Sequence, residues 1–131
     1  MNFISWREDY SVKNEVIDNQ HKKLFALIND LYEAFVTKSD NLGVERIINE
    51  LSDYTENHFK EEEKLFAFYN YAEAEEHIKE HKIFINTIQE ITEKYKENPK
   101  SFSTRITSFL QKWLINHILE TDKKYISMFP E

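Results

Sequence analysis

The chain contains five histidines, His21, His58, His77, His81 and His117, and no cysteine. Any one of them alone reads most simply as a core imidazole satisfied by a local hydrogen bond. Their spacing points instead to metal ligation. His77 and His81 stand at i and i+4, one helical turn apart on one face, so both can reach a single ion. His58 and Glu62 share that spacing and bring a carboxylate inward, although Glu61 at i+3 remains geometrically open. His117 is followed by Glu120 at i+3 and Asp122 at i+5. On an ideal α-helix Glu120 lies closer to the histidine's face, so spacing alone leaves the last carboxylate open.

These side chains need helices to aim them. Breaks fall at Thr37–Gly43, Ala67–Ala72 and Lys96–Ser101, and the stretches between have helical length and period. The pattern predicts helices over about 18–37, 43–66, 73–96 and 101–127, the first capped by Asp18. The first stripe carries Leu24, Leu27, Ile28, Leu31 and Phe35, with His21 just before it. The second runs Val44, Ile47, Ile48, Leu51, Thr55, His58, Glu62 and Phe66. His77 and His81 lead Phe84, Ile88, Ile91 and Tyr95 in the third. Phe102, Ile106, Leu110, Trp113, Leu114, His117 and Ile118 form the fourth, which extends towards Tyr125.

Short connections between long helices favour antiparallel neighbours. The expected fold is therefore all-α, an up-down-up-down antiparallel four-helix bundle in one domain spanning 1–131. Residues 1–17 form a non-helical N-terminal arm, which Phe3, Ile4, Trp6, Val16 and Ile17 should pack along the bundle. In that topology the start of the first helix, the end of the second, the start of the third and the end of the fourth share one end. All five histidines fall there, on inward stripes. With about a half chance of the right end and a third of the inward face for each, coincidence is on the order of one in 10⁴. Five unpaired imidazoles in an apolar interior would be costly, and a metal site removes that cost.

Composition excludes much else. A chain of 131 residues, 40% hydrophobic and 15% aromatic, can bury a core without staples. Without cysteine there are no disulfides, zinc fingers or thiolate nucleophiles. Gly43 is the only glycine, so no Walker loop, dinucleotide fingerprint or nucleophile elbow can be built. The formal net charge of −7 disfavours nucleic acid and anionic membrane surfaces as partners. The charge runs Lys60–Lys64 and Glu73–Glu76 read as solvated helix faces. No run approaches the roughly 18 apolar residues of a membrane span. Charges in the opening MNFISWREDY sit where a signal peptide would need its apolar core, so the expected location is cytoplasmic.

Taken together, the residues resemble the hemerythrin family, in particular single-domain bacterial hemerythrins. The resemblance rests on Trp6 and Tyr10, on Asp18-Asn-Gln-His21-Lys22, on His58-Phe59-Lys60-Glu61-Glu62-Glu63, and on His77-x-x-x-His81. It is completed by Trp113-x-x-x-His117-Ile118-x-x-x-Asp122-x-x-Tyr125 and spans nearly the whole chain. It implies that His21, His58, Glu62, His77, His81, His117 and Asp122 hold two iron ions, which selects Asp122 over Glu120. His77, His81 and His117 would hold one ion, and His21 and His58 the other. Glu62, Asp122 and a solvent-derived oxo or hydroxo group would bridge them. Two six-coordinate ions would then keep one open position, on the ion with fewer histidines. The resemblance implies dioxygen as its ligand, or another small ligand such as azide or nitric oxide, in an apolar pocket of Phe59, Trp113, Leu114 and Ile118. Phe66 stands where the family commonly has methionine, and Ala72 where proline is usual.

The expected function is reversible dioxygen binding for transport, storage or delivery, without enzymatic turnover. A client protein that uses the oxygen is left open. The rival readings are a sensor of oxygen, nitric oxide or redox state acting through a partner, and a di-iron oxidase or peroxidase. Oxidase bundles favour Glu-x-x-His pairs. Here Thr55, Ala74, Ile78 and Leu114 stand three residues before His58, His77, His81 and His117, and only Asp18, before His21, is acidic.

Overall fold

The computed structural model describes residues 3–37, 41–98 and 104–129. Its helices are α1 (Glu15–Val36), α2 (Asn41–Tyr69), α3 (Ala74–Glu97) and α4 (Thr104–Asn116). They form the expected four-helix bundle, with no strand among the described residues. Helix α1 packs on α2 and α4, and α2 on α3. The chain leaves α4 through a π-helical segment, His117–Thr121, and a 3₁₀ segment, Asp122–Met128. The expected stretch 101–127 is thus an α-helix followed by two tighter or wider coils. Pro99, Ser101, Phe102 and Pro130 lie outside the described residues.

Helix α1 starts earlier than the sequence reading placed it. Asn14, in an extended conformation, is the N-cap, and its side chain accepts from Ile17 N at 3.1 Å. Ile17 is buried and extends the inward stripe one turn ahead of His21. Asp18 is instead inside the helix and clamps the arm. It accepts from Ser11 Oγ at 2.6 Å and Val12 N at 2.8 Å. Both residues are good caps by type; the apolar burial of Ile17 favours the earlier one.

The arm packs on the bundle through Phe3, Ile4 and Trp6 as expected, but it ends at Asn14: Ile17 is buried as part of α1, and Val16, also in α1, faces outward and is exposed. Ile4, Tyr10 and Val12 are buried, Phe3 stacks on Tyr32 at 4.2 Å, and Trp6 packs against Tyr10 and Phe25. Asn29 pairs with the Ile4 backbone twice, each bond 2.8 Å. A 3₁₀ turn at Glu8–Tyr10 is the arm's helical element.

Helix α2 outruns its expected end at Phe66 because nothing in Ala67–Tyr69 breaks it. Asn70 stops it by adopting the left-handed conformation (φ 53°), and Tyr71 N then bonds Phe66 O at 2.9 Å. Asparagine tolerates that conformation better than other non-glycine residues. Helix α3 shifts by one residue from its expected bounds, within ordinary fraying.

The core divides along the bundle axis. Leu24, Leu27, Ile28, Leu31, Val44, Ile48, Leu51, Phe84, Ile88 and Leu110 fill the body, each removing side-chain area worth about 1.5–3 kcal/mol. A smaller cluster of Val12, Ile17, Phe66 and Tyr125 closes the other end. Between the two clusters lies a layer of buried polar residues.

Candidate metal centre

The periodicity that buries leucine in the body of each helix carries polar side chains inward at this level. On α2, Val44, Ile48 and Leu51 give way to Thr55, His58 and Glu62 before Phe66 closes the stripe, and all of these are buried. Helix α1 contributes His21 and α3 contributes His77 and His81. The end of α4 contributes His117 and Asp122. All seven sequence-derived candidates are buried together.

Asp122 reaches the layer because the helix changes its winding. Its backbone N–H bonds the carbonyls of both His117 and Ile118. A π turn closes over five residues rather than four, which carries residue i+5 back towards the face of residue i. Glu120, which ideal α-helical geometry favoured, is exposed.

The donor atoms form two overlapping groups. Glu62, His77, His81, His117 and Asp122 lie within mutual reach, as do His21, His58 and Glu62. Both carboxylates stand between histidines of the two groups. Glu62 Oε1 is 3.3 Å from both His58 Nε2 and His81 Nε2. Asp122 Oδ2 is 3.2 Å from His21 Nε2, while its Oδ1 is 2.8 Å from His77 Nε2 and 3.0 Å from His117 Nε2. Yet among the described residues His21 Nε2, His58 Nε2, His81 Nε2, Glu62 Oε1 and both Asp122 oxygens have no hydrogen-bond partner. These atoms are close without being directed at one another. They converge on shared points, and each orphaned polar atom left so would cost about 1–3 kcal/mol.

The outward nitrogens fix the tautomers. His58 Nδ1 meets Gln20 Oε1 at 2.6 Å, His81 Nδ1 meets Glu63 Oε2 at 2.9 Å, and His117 Nδ1 meets Glu80 Oε1 at 3.0 Å. These partner atoms accept, so Nδ1 carries a proton and, whenever the imidazole is neutral, Nε2 turns a lone pair inward. His77 Nε2 and His117 Nε2 face each other at 3.2 Å. Thr121 Oγ1 donates to both oxygens of Glu80, at 3.0 Å each, and Tyr125 donates to Glu62 Oε2 at 2.5 Å.

The electrostatics call for a cation. Burial would raise the Glu62 and Asp122 carboxyls, and their proximity raises Glu62 further. The surrounding histidines outweigh this and hold both below the usual carboxylate range. Burial would likewise lower His117, but the Asp122 and Glu80 carboxylates lift it to about 10. Without an ion, the raised His117 holds a proton that offsets these carboxylates. Divalent ions neutralise the same carboxylates and take up the orphaned lone pairs, so the residues present fit a histidine–carboxylate metal centre.

Two of the four apolar candidates lie directly against the layer. Phe59 stacks on His81 at 3.7 Å, and Trp113 stacks on His117 at 4.6 Å. Leu114 and Ile118 are buried in the main core. Both ring stacks fall on histidines of the larger donor group, with Phe59 also 5.7 Å from His58.

The sequence reading missed Gln20, Glu63, Glu80 and Thr121, and gave Tyr125 no role. Glu63 lies in the run Lys60–Lys64, which read as solvated surface; it is instead the partner of a buried imidazole. A usable signal existed, because a ligating histidine needs an acceptor for its second nitrogen. Glu80 stands beside His81 and Gln20 beside His21, but each serves a histidine on another helix.

A helical bundle that gathers histidines and carboxylates into a metal pocket at one end is the class this fold and site define. Comparison with known proteins agrees. Residues 12–129 match the family described as Hemerythrin HHE cation binding domain. Bacteriohemerythrin of Pseudomonas aeruginosa strain PAO1 is 32% identical over 126 residues, covering 96% of this chain and 81% of the relative. Bacteriohemerythrin of Clostridium acetobutylicum is 33% identical over 127 residues, covering 92% of this chain and 97% of the relative. A crystal structure of wild-type hemerythrin superposes with a TM-score of 0.90 at 26% identity, over 96% of this chain and 97% of that one. The chain belongs to the hemerythrin family.

Proposed function

We propose that the protein binds dioxygen reversibly at a pair of iron ions in this pocket, acting as a carrier, store or delivery protein rather than as an enzyme. The observation that carries the reading is the uneven split of the donors, five residues around one point and three around the other, with Glu62 common to both. An ion held by the smaller group keeps room for a ligand from solution. Two ferrous ions would supply the reversible electron exchange with dioxygen that amino-acid side chains cannot.

The chain's own residues favour binding over turnover. Glu62 and Asp122 lie between the two groups and can tie both ions together. Tyr125 holds Glu62 in place through its second oxygen. Phe59, Leu114 and Ile118 are buried, and as the walls of the ligand pocket they would keep bulk water from it. Beyond the seven candidate ligands, the acidic side chains within hydrogen-bond reach, Glu63 and Glu80, bond outward nitrogens rather than facing the pocket. No free inward acid or base therefore stands ready, among the described residues, to assist O–O cleavage. Azide and nitric oxide should compete for the same position. A cytoplasmic setting belongs to the same reading. The net charge of −7 disfavours nucleic-acid and anionic membrane partners, and no described helix is long and apolar enough to cross a membrane.

The test is the visible spectrum of iron-loaded, anaerobically reduced protein while oxygen is admitted and then removed. A ligand-to-iron absorption that appears and disappears over repeated cycles is expected. One-way conversion to the oxidised, colour-stable form would overturn reversible binding in favour of redox sensing or oxidase chemistry.

A further inference from the structure

Beyond the ligands themselves, the outward nitrogens of the histidines have unequal partners. In the larger donor group, His81 bonds the Glu63 carboxylate at 2.9 Å and His117 bonds the Glu80 carboxylate at 3.0 Å. Thr121 fixes Glu80 by donating to both its oxygens. In the smaller group, His58 bonds a neutral amide, Gln20 Oε1, at 2.6 Å. Among the described residues the Nδ1 of His21 has no hydrogen-bond partner, and in the larger group neither has that of His77, so the contrast lies in the partnered histidines. A carboxylate behind an imidazole pulls on its N–H proton and makes the opposite nitrogen a stronger donor, whereas an amide does so far less.

We propose that Gln20, Glu63 and Glu80 are positioning residues that grade the two metal positions. Glu63 and Glu80 strengthen the His77–His81–His117 position, and Gln20 keeps the His21–His58 position weak. The smaller group then loads last and empties first, so occupancy of the second ion governs whether the pair is complete. The inference rests on the metal-centre reading above, but not on oxygen as the ligand.

Gln20 makes the idea testable in both directions. It is half-buried and lines a surface groove with Val16, Ile17, Glu61, Lys64 and Phe68. A glutamate there keeps access to water and matches the amide in shape. The experiment titrates the metal-free full-length protein with Co²⁺, reading its visible absorption, and repeats the titration with Zn²⁺ by calorimetry. The wild type should fill in two steps. Q20E should tighten the weaker step about 10–100-fold and leave the stronger one in place. E63Q and E80Q should weaken the stronger step by a similar factor. Circular dichroism and thermal melting of each metal-free variant establish that it is folded. A Q20E protein that is folded and shows an unchanged weaker step would overturn the proposal. So would E63Q and E80Q proteins that weaken both steps equally, since that is the mark of a merely structural role. Failure of oxygen binding with the graded cobalt steps intact would overturn the function proposed above and leave this inference standing.

Discussion

The two ends of the bundle are built on the same helices but obey different constraints. Towards one end, Val44, Ile48, Leu51, Ile88 and Leu110 pack in regular α-helix, and the inward residues are apolar apart from the buried Thr107. Towards the other, the same stripes deliver five histidines, Glu62 and Asp122, all buried, and the last helix winds into π and then 3₁₀ form. The apolar end is stable through packing alone. The polar end carries orphaned lone pairs and buried carboxylates, so its order depends on what it binds. One amphipathic pattern therefore serves both purposes, and the residue type at each inward position decides which.

The largest test of that contrast is removal of the metal. Chelation should cost the folded state about 4 kcal/mol relative to protein held at a thousandfold excess of free metal over Kd. Hydrogen exchange should rise first around His58, His77 and His117 and last around Ile48 and Leu110. Equal loss of protection at both ends would break the comparison.

His77→Ala comes next. It removes a candidate ligand whose Nε2 lies 2.8 Å from Asp122 Oδ1 and should abolish full metal loading, read as metal per chain after gel filtration. Retention of two irons per chain would refute the ligand assignment. At the apolar end, Leu51→Ala should cost about 2–5 kcal/mol in chemical denaturation yet keep normal metal stoichiometry. Leu114→Ala sits where the two regions meet. It should carry a comparable or smaller stability cost, keep its iron, and oxidise irreversibly faster in air as water enters. The smallest effect is expected from Asp18→Ala, which frees Ser11 and Val12 from α1 and should cost about 1 kcal/mol. Its exchange changes should be confined to the arm and the first turn of α1.

Much of this was legible in the sequence, for a physical reason. Burial enforces helical periodicity, so the inward register of His21, His58, Glu62, His77, His81 and His117 could be counted from neighbouring leucines and isoleucines. Asp122 could not be placed by counting, because the π segment changes the number of residues per turn and no residue type announces it. The start of α1 was misplaced because Asn14 and Asp18 are both competent caps, and only tertiary burial of Ile17 separates them. Gln20, Glu63 and Glu80 stayed hidden for a third reason. They sit beside the inward stripes, where polar residues are expected anyway, and their partners lie 38, 18 and 37 positions away in the chain.

The most direct test of a pocket built for an unequal pair of ions is anomalous diffraction from crystals of the iron-loaded protein. Two iron peaks are expected, one among His77, His81 and His117 and one between His21 and His58, with Glu62 and Asp122 reaching both. A single peak, or a second iron outside these residues, would contradict it.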